Sequence, residues 1–335
     1  MKTLILAIES SCDDSSIALI DKDTLECHFH QKISQENAHS NYGGVVPELA
    51  ARLHSEALPR ILERCGDYFE RLCAIAVTNE PGLSVSLVGG IAMAKILALS
   101  LKIPLIAVNH LVGHIHSLFL QSEAKKNMGI LLVSGGHTMV LFVDEAGGVQ
   151  ILAQSTDDSF GESFDKVAKM LGLGYPGGEA VQKLALKAQQ KSLKFSIPLL
   201  RSKELAFSFS GLKNQVRLEL LKHENLDDET KSEVAYAFEE AACGHILRQC
   251  ERLFKIHAFK HFGVVGGASA NLKLRAHLRT LCEKYSATLH LAPLEFCADN
   301  ALMIARAAVE SFKRGEFAAL NADILSPKNQ NLSRI

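Results

Sequence analysis

This chain of 335 residues has almost no net charge. Lys and Arg number 36, Asp and Glu 37, a formal balance of −1. Proteins that coat nucleic acid non-specifically carry a strong basic excess. That class is excluded, and any nucleic-acid contact must be a local patch. Cysteine is sparse: Cys12, Cys27, Cys65, Cys73, Cys243, Cys250, Cys282 and Cys297, with no C-x-x-C pair. In a chain this long, that points to reduced thiols packed as small hydrophobes in a cytoplasmic protein. It argues against a cysteine-built zinc site. No uninterrupted run reaches the ~18–20 apolar residues of a membrane span. The nearest, Ser84–Lys102, is broken by Gly89, Gly90 and Lys95. The opening apolar run meets Glu9, too soon for a secretion-signal core, and no small-residue cleavage site follows.

What is present is ordinary globular material. Hydrophobic residues make up 47% and charged residues 22%, so disorder and low complexity are excluded. At roughly 150 residues per domain, the length predicts about two domains. Leu4–Glu9, polar Ser10–Ser16 and apolar Ile17–Ile20 read as strand, turn, strand. About 125 residues on, Ile130–Val133, the turn Ser134-Gly135-Gly136-His137 and Met139–Val143 repeat the pattern. Two such hairpins point to two related domains. Strands are expected at Cys73–Val77, Leu105–Val108 and Phe262–Val265. Helices are expected at Ser84–Lys102, Asn109–Gln121, Phe160–Leu171, Lys231–Lys255, Leu272–Lys284 and Asn300–Lys313, with a loop over Gly172–Gly178. The alternation makes both halves α/β domains with mixed sheets.

Several residues can carry chemistry. His110 and His114 are four apart at the start of an expected helix and share one face. Two imidazoles so placed can bind one metal ion, though a bare H-x-x-x-H is also common without one. His116 lies about 200° round from His114 and points elsewhere. Leu111 follows the first histidine, where a zinc protease carries its glutamate base. Asp299 is either the N-cap of the last helix or a third ligand; spacing alone does not choose. The Gly135-Gly136 turn and Gly266-Gly267-Ala268-Ser269-Ala270-Asn271 leave backbone N–H groups open to an anion. From Lys183 to Arg217 eight cations meet one acid, Glu204, a local balance of +7. This is either a solvated face or a phosphate-backbone patch.

Taken together these motifs resemble the TsaD family, tRNA adenosine threonylcarbamoyltransferases, over nearly the whole chain. The resemblance is carried by Glu9-Ser10-Ser11-Cys12-Asp13-Asp14, Tyr42-Gly43-Gly44-Val45-Val46-Pro47-Glu48, Asn109–His114 and Leu132–Thr138. Further matches are Gly161-Glu162-Ser163-Phe164-Asp165-Lys166, Tyr175-Pro176-Gly177-Gly178, Ser208–Lys213, Gly266–Asn271 and Asp299-Asn300. The resemblance implies an actin-like ATPase (ASKHA) fold, two related α/β lobes with mixed sheets around a nucleotide cleft. The first lobe would be residues 1–122, joined by a C-terminal helix over about 300–335, and the second 123–299. It implies transfer of threonylcarbamoyl from threonylcarbamoyl-AMP to the exocyclic amine of adenosine 37, in tRNAs reading codons that begin with A.

By position, His110, His114 and Asp299 resemble the family's ligands to one divalent ion per subunit, iron(II) first and zinc as the alternative. Leu132, Val133, Ser134, Gly135, Gly136 and His137 resemble the segment touching the phosphate and acyl part. Asp165, Gly178 and Asn271 resemble nucleotide contacts, and Asp13 or Asp14 is the candidate proton acceptor. Implied partners are tRNA, a TsaB-type paralogue and a TsaE-type small ATPase, with no membrane. Departures are Glu80 for a Gly, Ser269 for Val, Ser159, Phe160 and Ser163 where Ala, Ala or Gly, and Ala are common, and Gln182 for an Asp near the ribose. Competing readings are a metalloprotease, opposed by Leu111, a plain sugar kinase, and a non-catalytic partner protein, which has no need of a metal triad.

Overall fold

A computed structural model describes residues 2–321 and Leu332. The C-terminal helix expected over about 300–335 ends at Arg314, where Gly315 takes a left-handed conformation (φ 71°); residues 322–331 and 333–335 of that span lie outside the described residues. The chain divides into two compact units: residues 1–126, 145–149 and 299–335, and residues 127–144 and 150–298.

The first unit is built on a five-stranded sheet. Its strands are β1 (Leu4–Glu9), β2 (Asp14–Asp21), β3 (Cys27–Ser34), β4 (Leu72–Glu80) and β5 (Leu105–Asn109), in the order β3-β2-β1-β4-β5. The β1–β2 hairpin is antiparallel, with Leu4 opposite Asp21; β1–β4 and β4–β5 are parallel. All six residues of β1 are buried, as expected of a strand covered on both faces. After the short helix α1 (Glu36–Ser40) come α2 (Pro47–Glu63) and α3 (Ser84–Leu101), which pack with Leu4, Leu6 and Ile8 through Leu58, Ile61, Leu87 and Ile91. Side chains alternate along a strand, so Ile5, Ala7 and Glu9 face the other way. That face belongs to α4 (His110–His116) and α10 (Ala301–Arg314), which pack on each other.

Several elements depart from expectation: a helix beginning at Gly177 enters the loop expected over Gly172–Gly178, and the helix expected at Lys231–Lys255 spans Asp228–His257. Strand β2 starts at Asp14, not Ile17, because Ser15 and Ser16 are buried and pair with β3. Helix α4 stops at His116 rather than Gln121. Just beyond it, the carbonyls of Phe119 (2.9 Å) and Ser122 (3.0 Å) accept from the buried Arg306 guanidinium, which holds the chain there in a turn. Helix α3, although broken by glycines and Lys95, has a mean hydropathy of 1.8. It is the one helix among the described residues long and apolar enough to cross a membrane by length and composition, and it packs on β4 and α2.

The second unit repeats the arrangement. Strands β6 (Met128–Val133), β7 (Thr138–Val143), β8 (Val149–Gln154), β9 (His261–Val265) and β10 (Thr288–Leu291) lie in the order β10-β9-β6-β7-β8. Read from the other edge, 8-7-6-9-10 has the same connectivity as 3-2-1-4-5. Each sheet opens with an antiparallel hairpin and adds two parallel strands beside its first strand. Its helices are α5 (Phe160–Leu171), α6 (Gly177–Ala185), α7 (Ser210–Leu220), α8 (Asp228–His257) and α9 (Leu272–Lys284). Phenylalanines fill the core: Phe164 meets Phe160 at 4.7 Å and Phe238 at 4.8 Å between ring centres.

Candidate metal centre and glycine turn

Asn109 starts α4. Its side chain accepts from the backbone N–H of Leu111 (2.9 Å) and Val112 (3.3 Å), a standard N-cap. One turn of helix then places the His110 and His114 rings 4.6 Å apart. At the other helix, Asn300 is the cap, accepting from Met303 N–H at 3.0 Å. Asp299 is therefore not the N-cap. Its Oδ1 lies 3.4 Å from His110 Nε2 and 3.2 Å from His114 Nε2.

One nitrogen or oxygen from each of the three residues falls within 4.8 Å of the others. Both ring nitrogens of His114 are buried with no hydrogen-bond partner, so the approach to Asp299 is close but not aligned for a hydrogen bond. A buried imidazole left so is costly unless something else occupies it. Two imidazoles and one carboxylate with open positions suit a borderline divalent ion. The residues present fit such an ion.

Glu9 completes the group, and sequence reasoning missed it. It is fully buried at the end of β1, on the α4 face. Its Oε2 accepts from Thr78 Oγ1 (2.5 Å) and sits 3.1 Å from His110 Nδ1, while Oε1 accepts from Ser11 N–H (2.6 Å). Ser11 Oγ also lies 3.2 Å from His110 Nδ1. A carboxylate on Nδ1 holds the proton there and turns Nε2 toward Asp299, the arrangement that orients metal-binding histidines. Burial would push the His110 pKa down, but Asp299 and Glu9 outweigh it and hold it well above the ordinary value. Burial would likewise push the Asp299 and Glu9 carboxyls up, and the facing His110 brings both down. His114 is lowered, first by burial. The available signal was a lone acid closing a wholly apolar strand.

Of the two candidate proton acceptors, Asp14 stands out. Burial lifts its pKa to about 6 against the pull of Lys32, whose Nζ lies 2.9 Å from Oδ2. Its Oδ1 is buried with no hydrogen-bond partner. Glu80 receives the Asn109 amide at 3.4 Å, so that departure touches the cap of α4. His116 bonds to Val112 O at 2.9 Å, apart from the triad as expected.

In the second unit, Ser134–His137 is a tight turn closed by Ser134 N–H to His137 O (2.8 Å) and His137 N–H to Ser134 Oγ (3.0 Å). The side chains of Leu132 and Val133 are buried in the sheet, so only their backbone can meet a ligand. Gly135 and Gly136 are exposed, with open space where a Cβ would stand. Gly161 is required by close approach: a Cβ there would sit 2.5 Å from Ser134 O. Ser159 caps α5 and donates to Gly135 O at 2.6 Å. Asp165 Oδ1 accepts from Gly177 N–H at 2.7 Å, at the start of α6, and Gly178 is open to solvent-side approach. Asn271 caps α9 through Leu274 N–H (2.8 Å) and donates to buried Glu239 (2.8 Å). Gln182 donates to the same Glu239 oxygen at 3.2 Å. The Gly266–Asn271 stretch forms a short 3-10 turn before α9 rather than opening it directly.

The family model for TsaD, tRNA N6-adenosine threonylcarbamoyltransferase, matches residues 26–306. The chain belongs to the TsaD family. A protein of that name from Campylobacter jejuni is 68% identical over 335 residues, covering both chains fully. One from Campylobacter concisus is 59% identical over 326 residues, 97% of this chain and 98% of that one. Among solved structures, HypF of T. kodakarensis aligns with a TM-score of 0.65 at 12% identity, over 95% of this chain and 49% of that one. An activator of 2-hydroxyisocaproyl-CoA dehydratase from Clostridium difficile aligns at 0.52 and 15%, over 94% and 97%. These two share the fold alone. The fold is the α/β, actin-like ATPase class expected above. As a TsaD member the chain is an acyltransferase acting on tRNA, a tRNA N6-adenosine threonylcarbamoyltransferase.

Proposed function

We propose that this TsaD enzyme takes threonylcarbamoyl from threonylcarbamoyl-AMP and places it on N6 of adenosine 37, in tRNAs reading codons that begin with A. The observation that carries the chemistry is the buried His110–His114–Asp299 group, with His114 unsatisfied at both nitrogens. These three residues would hold one divalent ion, iron(II) by the two-histidine, one-carboxylate pattern, with zinc the alternative. When bound, such an ion supplies Lewis-acid polarisation of the acyl group.

The remaining work falls to the chain. The N6 nitrogen attacks the carbamoyl carbon, a C–N bond forms, and the C–O bond to the phosphate breaks. AMP leaves with the electron pair. The amine proton goes to Asp14, whose pKa of about 6 suits a general base near neutral pH; Asp13 is the weaker candidate. The backbone N–H groups of Gly135 and Gly136, open at the tip of the turn, hold the phosphate and acyl oxygens, and Leu132, Val133, Ser134 and His137 build the turn that presents them. Asp165, Gly178 and Asn271 hold the nucleotide. An exocyclic amine is a poor nucleophile, so positioning supplies much of the rate.

Each unit is read as one lobe; against the expected 1–122 with the C-terminal helix and 123–299, the first unit also takes 123–126, 145–149 and Asp299. A TsaB-type paralogue and a TsaE-type ATPase are the expected partners, in the cytoplasm without a membrane. The test mixes metal-loaded chain, both partners, threonylcarbamoyl-AMP and unmodified tRNA, then analyses nucleosides by mass spectrometry. Threonylcarbamoyladenosine with matching AMP is the expected result. No product from folded protein overturns the proposal.

A further inference from the structure

The second unit carries an irregular stretch that is neither helix nor strand, residues 187–203. It holds Lys187, Lys191, Lys194, Arg201 and Lys203, and no acid. All five cations are exposed. The stretch is tied down along α8 at successive points. Glu233 accepts from Ser192 N–H (3.0 Å), Ser192 Oγ (2.7 Å) and Leu193 N–H (2.8 Å). Ile197 lies against Gly244. Arg248 donates to Leu200 O (2.5 Å), and Arg252 to Lys203 O and Glu204 O (2.7 Å). From α7, Gln215 exchanges two hydrogen bonds with Ser196, at 2.8 and 3.2 Å.

From Glu233 to Arg252 is 19 residues of helix, about 28 Å at 1.5 Å each. The stretch is thus a strap of fixed course, not a loose loop, and it displays its charge along several helical turns. Most other lysines of this unit are neutralised: Lys166 and Lys213 by Asp158, Lys183 by Glu179, Lys222 by Glu219, Lys255 and Lys284 by Glu251, Lys273 by Glu239 and Glu240; Lys169, Lys231 and Lys260 stand apart from one another in sequence rather than in a run. Among the described residues, none of the five strap cations is in an ion pair. Lys191 instead lies over the Tyr236 ring at 4.9 Å. Buttressing the strap with two more arginines costs self-repulsion unless a polyanion is its partner.

We propose that the 187–203 strap is a docking ridge for the phosphate backbone of tRNA. The inference rests on the chain's tRNA being its acceptor substrate, and deepens that reading by naming where the backbone is held. Phosphate contacts of this kind set register and affinity rather than sequence. Each cation removed should lower the magnitude of the salt slope by about 0.7–0.9.

The test is the full chain with Lys191→Ala, Lys194→Ala, Arg201→Ala and Lys203→Ala together, beside a Lys222→Ala/Lys284→Ala control. Binding of tRNA is followed by fluorescence anisotropy between about 50 and 200 mM salt. The fourfold variant should bind at least about tenfold more weakly, with a slope shallower by about 3. Its KM for tRNA should rise while kcat and thermal midpoint hold. The control should match wild type. Unchanged affinity and slope in the fourfold variant, or no salt-dependent tRNA binding by wild type, overturns the ridge. Loss of binding to anionic vesicles with tRNA binding intact also overturns it. The ridge can fail while wild type still forms product, and it can stand if wild type binds tRNA through it yet forms none.

Discussion

Replacing Glu9 by Gln should loosen the divalent ion without touching a ligand. The carboxylate serves three donors: Thr78 Oγ1 at 2.5 Å, Ser11 N–H at 2.6 Å and His110 Nδ1 at 3.1 Å. A Gln of the same shape keeps one acceptor oxygen and turns an NH2 on the other side. With the NH2 on the Oε1 side Ser11 N–H loses its partner, with it on the Oε2 side Thr78 and His110 do, and either way no negative charge remains to hold the Nδ1 proton of His110. Removing a carboxylate behind a metal-binding histidine typically costs 10–100-fold in metal affinity. That is about 1.4–2.7 kcal/mol, at 1.4 kcal/mol per decade. The assay is competition of the metal-free chain against a chromogenic chelator, wild type beside Glu9→Gln and Thr78→Val. Thr78→Val removes one donor and leaves the Glu9 charge, so its affinity should stay within about threefold of wild type. If Glu9→Gln binds metal as tightly as wild type while its thermal midpoint falls, Glu9 is merely structural and the reasoning fails.

Asp14→Asn should raise stability at neutral pH. The folded pKa of about 6 lies above the ordinary 3.8, so the folded state keeps the proton longer. Wild-type stability therefore declines as pH rises from about 4 to about 6, and Asn removes that decline. The gain at pH 7 is on the order of 1–3 kcal/mol and vanishes near pH 4, read by urea denaturation at both values. The same variant should lose about 10²–10⁴-fold in kcat if Asp14 is the base. Arg306→Met should cost about 3–5 kcal/mol, since Phe119 O, Ser122 O and Glu310 lose a buried partner; chemical denaturation reads it. Gly161→Ala should push the Ser134 carbonyl aside and lower kcat about 10²-fold with metal content unchanged.

Regular elements were legible where apolar spacing was unbroken. Leu4–Glu9, Phe160–Leu171 and Leu272–Lys284 fold with the bounds their patterns predict. The pairing of His110 with His114 needed only helical geometry. Strand β3 was harder to read because Gln31 interrupts the apolar phase set by Cys27, Phe29 and Ile33. Helix α2 was hidden by Pro59, which it accommodates in its interior. The choice of cap at Asp299-Asn300 could not be made from sequence, since both types cap helices equally well. Tertiary contact decides it: Ser16 Oγ binds the Ala301 N–H at 3.0 Å, and Asn300 takes the cap. The turn after α4 is held by Arg306, nearly two hundred residues on. Glu9 needed the β1 register to show that it faces His110.

The most direct measurement is bound metal and product yield for His114→Ala beside wild type, in matched preparations. Wild type should carry one divalent ion per chain and form threonylcarbamoyladenosine. His114→Ala should carry little metal and form no product while still unfolding cooperatively, at a lower midpoint because a fully buried side chain is removed. Full product from metal-free His114→Ala would contradict a metal centre at His110, His114 and Asp299.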